Sequence, residues 1–157
     1  MKRLEGDLLA YAELGHFDVI VHGCNCHCEM GAGIARAIKE RFPEAYEADC
    51  VTLPGDRAKL GKLTEARVKR GEIQFTIING YTQFDWGGAG DLGTGVLVDY
   101  EALRLVMREV KVRYAGKRIA YPKIGAGLAK GDWTLIEAII SEELEGEDHT
   151  LVCLGGR

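Results

Sequence analysis

FDVIVHGCNCHCEMGAGIARAIKERF, residues 17–42, decides the fold. Its opening, FDVIVHGCN (17–25), is nearly continuously apolar, the pattern of a strand buried on both faces of a sheet. Its end, GAGIARAIKERF, places Ile34, Ala37, Ile38 and Phe42 on one helical stripe. Pro43 then stops or restarts that helix. Strand, glycine turn and amphipathic helix in succession form a unit of a parallel α/β sheet.

The rest of the chain continues the alternation. LEGD (4–7) reads as the end of a short strand. KLTEARVKRGEIQFTIINGYTQ (62–83) reads as two strands turning near Arg70-Gly71, with FTIING a buried run. YEALRLVMREVKVRYAG (100–116) is a helix with Leu103, Val106, Met107, Val110 and Tyr114 inward and Gly116 as its stop. RIAYPKIGAG (118–127) is a strand entering a second glycine turn. GDWTLIEAIISEEL (131–144) is a helix burying Ile136, Ile139, Ile140 and Leu144, and HTLVCLG (149–155) is a last strand. The expectation is an α/β fold of one domain over residues 1–157, its helices on both faces of a mostly parallel sheet. Ligands of such sheets bind at the carboxyl ends of strands, where both glycine turns fall.

The 157 residues are 46% hydrophobic and 28% charged, a composition able to build a real core. A net charge of −4 argues against a direct nucleic-acid or anionic-membrane surface but leaves room for a local anion site built from backbone N–H groups. No leader-like segment and no run of about 18 apolar residues occurs, so a cytoplasmic setting is expected. Five cysteines, an odd number, fit reduced thiols. Oligomeric state is left open.

Three chemistries compete for the turn. Cys24, Cys26 and Cys28 with His22 and His27 suggest zinc, but the remaining candidates, Cys50, His149 and Cys153, are scattered singles where structural zinc wants a second pair. Thiol catalysis is the second reading; no C-x-x-C is present, and a cysteine where a strand leaves a sheet more often fills space. The third is a phosphate cradle, since glycines let the backbone approach an anion at a helix start. This reading gains from a repetition: MGAGIARA (30–37) is echoed by IGAGLAKG (124–131). Two such turns facing across one cleft suit a diphosphate. Both lack the third glycine of G-x-G-x-x-G, which makes a dinucleotide oxidoreductase the poorer reading.

These segments together resemble the macrodomain family, a three-layer α/β/α fold with a mixed, mostly parallel central sheet that binds ADP-ribose. GDL (6–8) is similar to the family's early Gly-Asp-Ile/Leu, which implies an adenine contact for Asp7 beside Leu8. VHGCN (21–25) is similar to the segment whose asparagine meets the distal ribose, here Asn25. Met30, Gly31, Ala32, Gly33 and Ile34 fall on the first phosphate loop, and Ile124, Gly125, Ala126, Gly127 and Leu128 on the second. HGCNC, INGYTQ and YPKIGAGLAKGDW look closest to the branch of ADP-ribose 1″-phosphate phosphatases and terminal ADP-ribose glycohydrolases. The glycohydrolase lysine and aspartate are missing: Gly80-Tyr81-Thr82 and Ala129 stand there.

The resemblance therefore implies ADP-ribose or ADP-ribose 1″-phosphate as ligand, phosphate release as leading activity, and neither cofactor nor metal. A non-catalytic ADP-ribose reader is the alternative, and removal of ADP-ribose from a macromolecule a further one. His22 is a candidate general acid or base, against a plain hydrogen-bonded histidine. Asp132 is a candidate for orienting water, although it also precedes a helix as an N-cap would. Tyr81, Phe84 and Trp86 either cover the ligand or pin the loop 83–99. Gly87, Gly88, Gly90, Gly93 and Gly95 suggest a movable lid.

Overall fold

The computed structural model describes residues 1–86 and 95–155. The described residues form six strands and five α-helices: β1 (Lys2–Glu5), α1 (Leu8–Glu13), β2 (Val19–Cys24), α2 (Gly33–Arg41), α3 (Pro43–Cys50), β3 (Leu63–Arg70), β4 (Ile73–Tyr81), α4 (Tyr100–Tyr114), β5 (Arg118–Tyr121), α5 (Trp133–Glu143) and β6 (Asp148–Cys153). They form one sheet in the order β1-β6-β5-β2-β4-β3. Every neighbouring pair is parallel except β3–β4, the hairpin expected around Arg70-Gly71. The mixed, mostly parallel sheet is thus as the sequence implies. Expected lid glycines Gly87, Gly88, Gly90 and Gly93 lie outside the described residues.

The pleat of β2 builds both cores. Val19 and Val21 join the cluster made with Leu103, Val106 and Ile136, under α4 and α5. Ile20 points the other way, into the cluster holding Leu9, Ile38 and Phe42, under α1, α2 and α3. Helices therefore cover both faces, giving three layers. Truncating one of these isoleucines or leucines to alanine costs about 2–5 kcal/mol, because the close-packed walls do not collapse onto the void. No helix among the described residues is long and apolar enough to cross a membrane.

The central seam positions the site. β2 pairs with β4 over six residues, from Val19↔Thr76 to Cys24↔Tyr81. It pairs with β5 over only two, Val19↔Ile119 and Ile20↔Ala120. Beyond them Pro122, which has no N–H to offer a ladder, follows the end of β5. The helix after β2 lies on one face and the helix after β5 on the other. Adjacent strands whose following helices diverge in this way leave a crevice at their carboxyl ends. At the other end the seam is closed: Asp18 takes two bonds from the Arg118 guanidinium, at 3.0 and 2.8 Å, and a third from its N–H at 2.8 Å.

Candidate functional site

A cleft of about 570 Å³ occupies that crevice. One lip carries Asn25, Glu29 and the turn Gly31–Ala35; the other carries Pro122–Gly125 and Gly127–Ala129. Gly23 and Cys24 lie between the lips, and Gln83 and Trp86 close one side. Of the charged side chains among the described residues, only Glu29 and Lys123 line it. Any strong recognition of an anion must come largely from main chain.

The helix starts show where that main chain is available. α1, α4 and α5 are each capped by an aspartate, Asp7, Asp99 and Asp132, whose carboxylates accept first-turn N–H groups. α2 begins at Ala32, with no side-chain cap. Its first-turn N–H groups, on Gly33, Ile34 and Ala35, find no acceptor among the described residues and border the cleft. Uncapped amides and the positive end of the helix dipole favour an anion there by up to about 2 kcal/mol. Gly33 sits at φ +58°, a conformation that costs a side chain but not glycine.

The second turn is built differently. Gly125, at φ +75°, packs so closely that a Cβ would stand 2.8 Å from Val98 Cγ2. The carbonyl of Gly125 receives the Gly131 N–H at 2.6 Å, which bends the segment back on itself. The N–H groups of Gly125, Gly127 and Leu128 donate to no carbonyl among the described residues. They supply the facing set of donors. Leu128, 60% exposed, reaches toward Gly33 across the gap.

The cysteines anchor the first lip. Cys24 and Cys26 are buried with Met30 and Tyr81 in a small apolar cluster under the loop. Cys28 is buried as well, at φ +58°, and its thiol meets the Asp49 carbonyl at 3.4 Å. Lys59, buried beside it, donates to Thr52 Oγ1 at 2.8 Å. Burial pushes the Cys24 thiol well above its usual range and the Cys26 thiol up to about 11. Both are protonated at neutral pH, so neither offers a thiolate nucleophile. Among the described residues no group of three or more His, Cys, Asp or Glu side chains is placed to hold a metal ion.

The expected ligand residues divide. Asn25, Gly31, Ala32, Gly33 and Ile34 line the cleft from one side, Ile124, Gly125, Gly127 and Leu128 from the other. Met30 lies beneath the first lip, and Ala126 packs on the core behind the second. Asp7 and Leu8 do not line the cleft: Leu8 is buried in the core, and Asp7 caps α1 while Arg41 holds its other oxygen at 3.3 Å. Of the three aromatics, Trp86 lines the cleft, Phe84 lies under the Arg57 guanidinium, and Tyr81 is buried.

The two candidate catalytic side chains are both held in structural bonds. His22 is 1% exposed, and its Nε2 is bonded to Asn79 Oδ1 at 2.7 Å. Asn79 donates its amide N–H groups to the Ala45 carbonyl and Thr64 Oγ1, which leaves Oδ1 to accept from the imidazole. Burial lowers the His22 pKa to about 4, so it is a neutral tie between β2 and β4, turned away from the cleft. Asp132 caps α5 by accepting from Thr134 N at 3.0 Å, and it too lies outside the cleft. Glu29, Gln83 and Lys123 were not singled out from sequence, since isolated polar residues in loops carry no pattern.

A sheet covered on both faces, with two main-chain turns meeting over a switch-point cleft, defines a three-layer α/β domain whose cleft lies where ligands of such sheets bind. Residues 21–140 match the Macro domain model, and the chain belongs to that family. It is 34% identical over 145 residues to an uncharacterized 17.5 kDa protein of the tk-vs intergenic region of Enterobacteria phage T4, covering 89% of this chain and 87% of that one. It is 25% identical over 162 residues to an ADP-ribose 1″-phosphate phosphatase of Scheffersomyces stipitis, covering 90% of this chain and 94% of the yeast protein. A solved Bacteroides thetaiotaomicron structure superposes with a TM-score of 0.75 at 25% identity, over 98% of this chain and 97% of that one.

Proposed function

We propose that the cleft binds ADP-ribose and that the protein hydrolyses ADP-ribose 1″-phosphate to ADP-ribose and phosphate. The observation that carries the binding is the uncapped start of α2 facing the second glycine turn. A diphosphate laid between them receives N–H donors from both lips, with Lys123 the single cationic side chain on the lining among the described residues. Adenosine then extends toward one end of the cleft and the distal ribose toward Asn25 and Trp86. The family and the named yeast relative support this ligand and this activity. The residues at Gly80, Tyr81, Thr82 and Ala129 supply no lysine or aspartate, which favours phosphate release over the lysine-dependent glycohydrolase route.

A phosphorus NMR time course of ADP-ribose 1″-phosphate with the protein tests the reading. A growing inorganic phosphate line is expected. Diphosphate lines that shift with no new phosphate would favour a reader instead. That second reading has its own observation, the engagement of both His22 and Asp132 in structural bonds. Unperturbed spectra at high protein concentration would overturn the ligand assignment itself.

A further inference from the structure

Resting on that reading, we infer that the cleft selects ADP-ribose carrying a phosphomonoester on its adenosine ribose, ADP-ribose 2′-phosphate, and that Lys123 reads this group. The strand order sets the two ends of the cleft. Along β5-β2-β4, Lys123 stands just past β5, Asn25 just past β2 and Gln83 just past β4. Neighbouring strands lie about 4.8 Å apart, so the Lys123 and Gln83 sides are separated by about 10 Å. With the distal ribose toward Asn25 and Trp86, the β5 side is left to adenosine. Lys123 is the single cation on the lining among the described residues. It is exposed, and no carboxylate among the described residues pairs with it. Its ammonium lies 5.9 Å from the centroid of the Trp133 ring, which packs on the core. That ring gives the charge a fixed neighbour without neutralising it.

Charge decides what this end of the cleft takes. The diphosphate is provided for by the N–H groups of the two turns, so the Lys123 charge is surplus to it. Adenosine is neutral and offers an ammonium little. A phosphomonoester carries about −1.5 to −2 charges near pH 7 and is costly to strip of water. Beside an exposed side chain it stays partly hydrated, and an ammonium, a compact point charge on a flexible stem, follows it there. A basic side chain at the adenosine end of dinucleotide sites accommodates a 2′-phosphate in the same way. The other charge on the lining has the opposite sign and stands on the opposite lip. Glu29 is held beside Asn25, whose Nδ2 donates to the Glu29 carbonyl at 2.8 Å. No cation among the described residues lines the β4 side. An anionic group beyond the diphosphate therefore finds its side-chain attraction beside β5. The ligand class is the ADP-ribose portion of a 2′-phosphorylated nicotinamide dinucleotide.

The test is calorimetry at low ionic strength with ADP-ribose, ADP-ribose 2′-phosphate and ADP-ribose 1″-phosphate, on wild type, Lys123→Gln, Lys123→Arg and Lys130→Gln. The wild type should bind the 2′-phosphate about tenfold more tightly than ADP-ribose, with the ratio shrinking as salt is added. In Lys123→Gln that ratio should fall to about one, and Lys123→Arg should keep most of it. Lys130, exposed and outside the lining, controls for general charge, and Lys130→Gln should keep the ratio. Equal wild-type affinities, or a preference that survives Lys123→Gln or is lost in Lys130→Gln, overturn the inference and leave the ADP-ribose reading standing. A preference for the 1″-phosphate that depends on Lys123 puts the distal ribose beside β5 and overturns it too. A wild type that binds none of the three ligands overturns both.

Discussion

The two glycine turns are near twins in sequence, MGAGIARA and IGAGLAKG, and they are unlike in structure. The first opens directly into α2 and leaves that helix uncapped. The second wanders from Ile124 to Gly131 before Asp132 caps α5. One lip therefore presents a helix terminus with its dipole, the other only a folded loop. The lesson is that the shared Gly-Ala-Gly has no fixed meaning; the residue at the start of the next helix decides whether the amides there stay free. An aspartate at a helix start withdraws them, and an alanine leaves them for a ligand.

The largest expected effect lies on the first lip. Gly33→Glu puts a bulky anion at the uncapped terminus and should weaken ADP-ribose by about 100-fold or more, read by calorimetry, while circular dichroism stays native. Undiminished affinity would place the ligand elsewhere. Next, Gly125→Ala forces a side chain into φ +75° and against Val98. It should lower stability by about 2 kcal/mol, from strain and overpacking together, seen in urea unfolding. A loss confined to binding, with stability intact, would mean that the second turn relaxes freely.

A subtler change would make the lips more alike. Ala32→Asp supplies the missing cap, so α2 should gain about 1 kcal/mol while ADP-ribose binding falls by about tenfold. Gain in both stability and affinity would contradict the role given to the free amides. The smallest effect is on the other helix. Asp132→Ala should cost about 1 kcal/mol of stability and leave ADP-ribose affinity unchanged. A binding loss there would return Asp132 to the site.

Most of the fold was legible because apolar periodicity survives context. The runs 17–25 and 75–80 became central strands, and Ile136, Ile139 and Ile140 became the inner stripe of α5. The loops that line the cleft were legible for the same reason, since they had to succeed those strands. The side chains were harder. His22 stands three residues before Asn25, but strand alternation carries it into the layer under α3, where Asn79 receives it. Asp132 fitted both a cap and a catalyst, and only the Thr134 N–H separates the two.

The two-rung junction of β2 with β5 has a mechanical consequence. It divides the sheet into a half of β1, β6 and β5 and a half of β2, β4 and β3, and it is the shortest ladder of that sheet among the described residues. Arg118 and Asp18 rivet one end, and the lips stand apart at the other. A ligand gripped by both lips is a second rivet. Its binding free energy becomes cohesion between the halves, so amide exchange should slow along β2 and β5, far beyond the atoms the ligand touches.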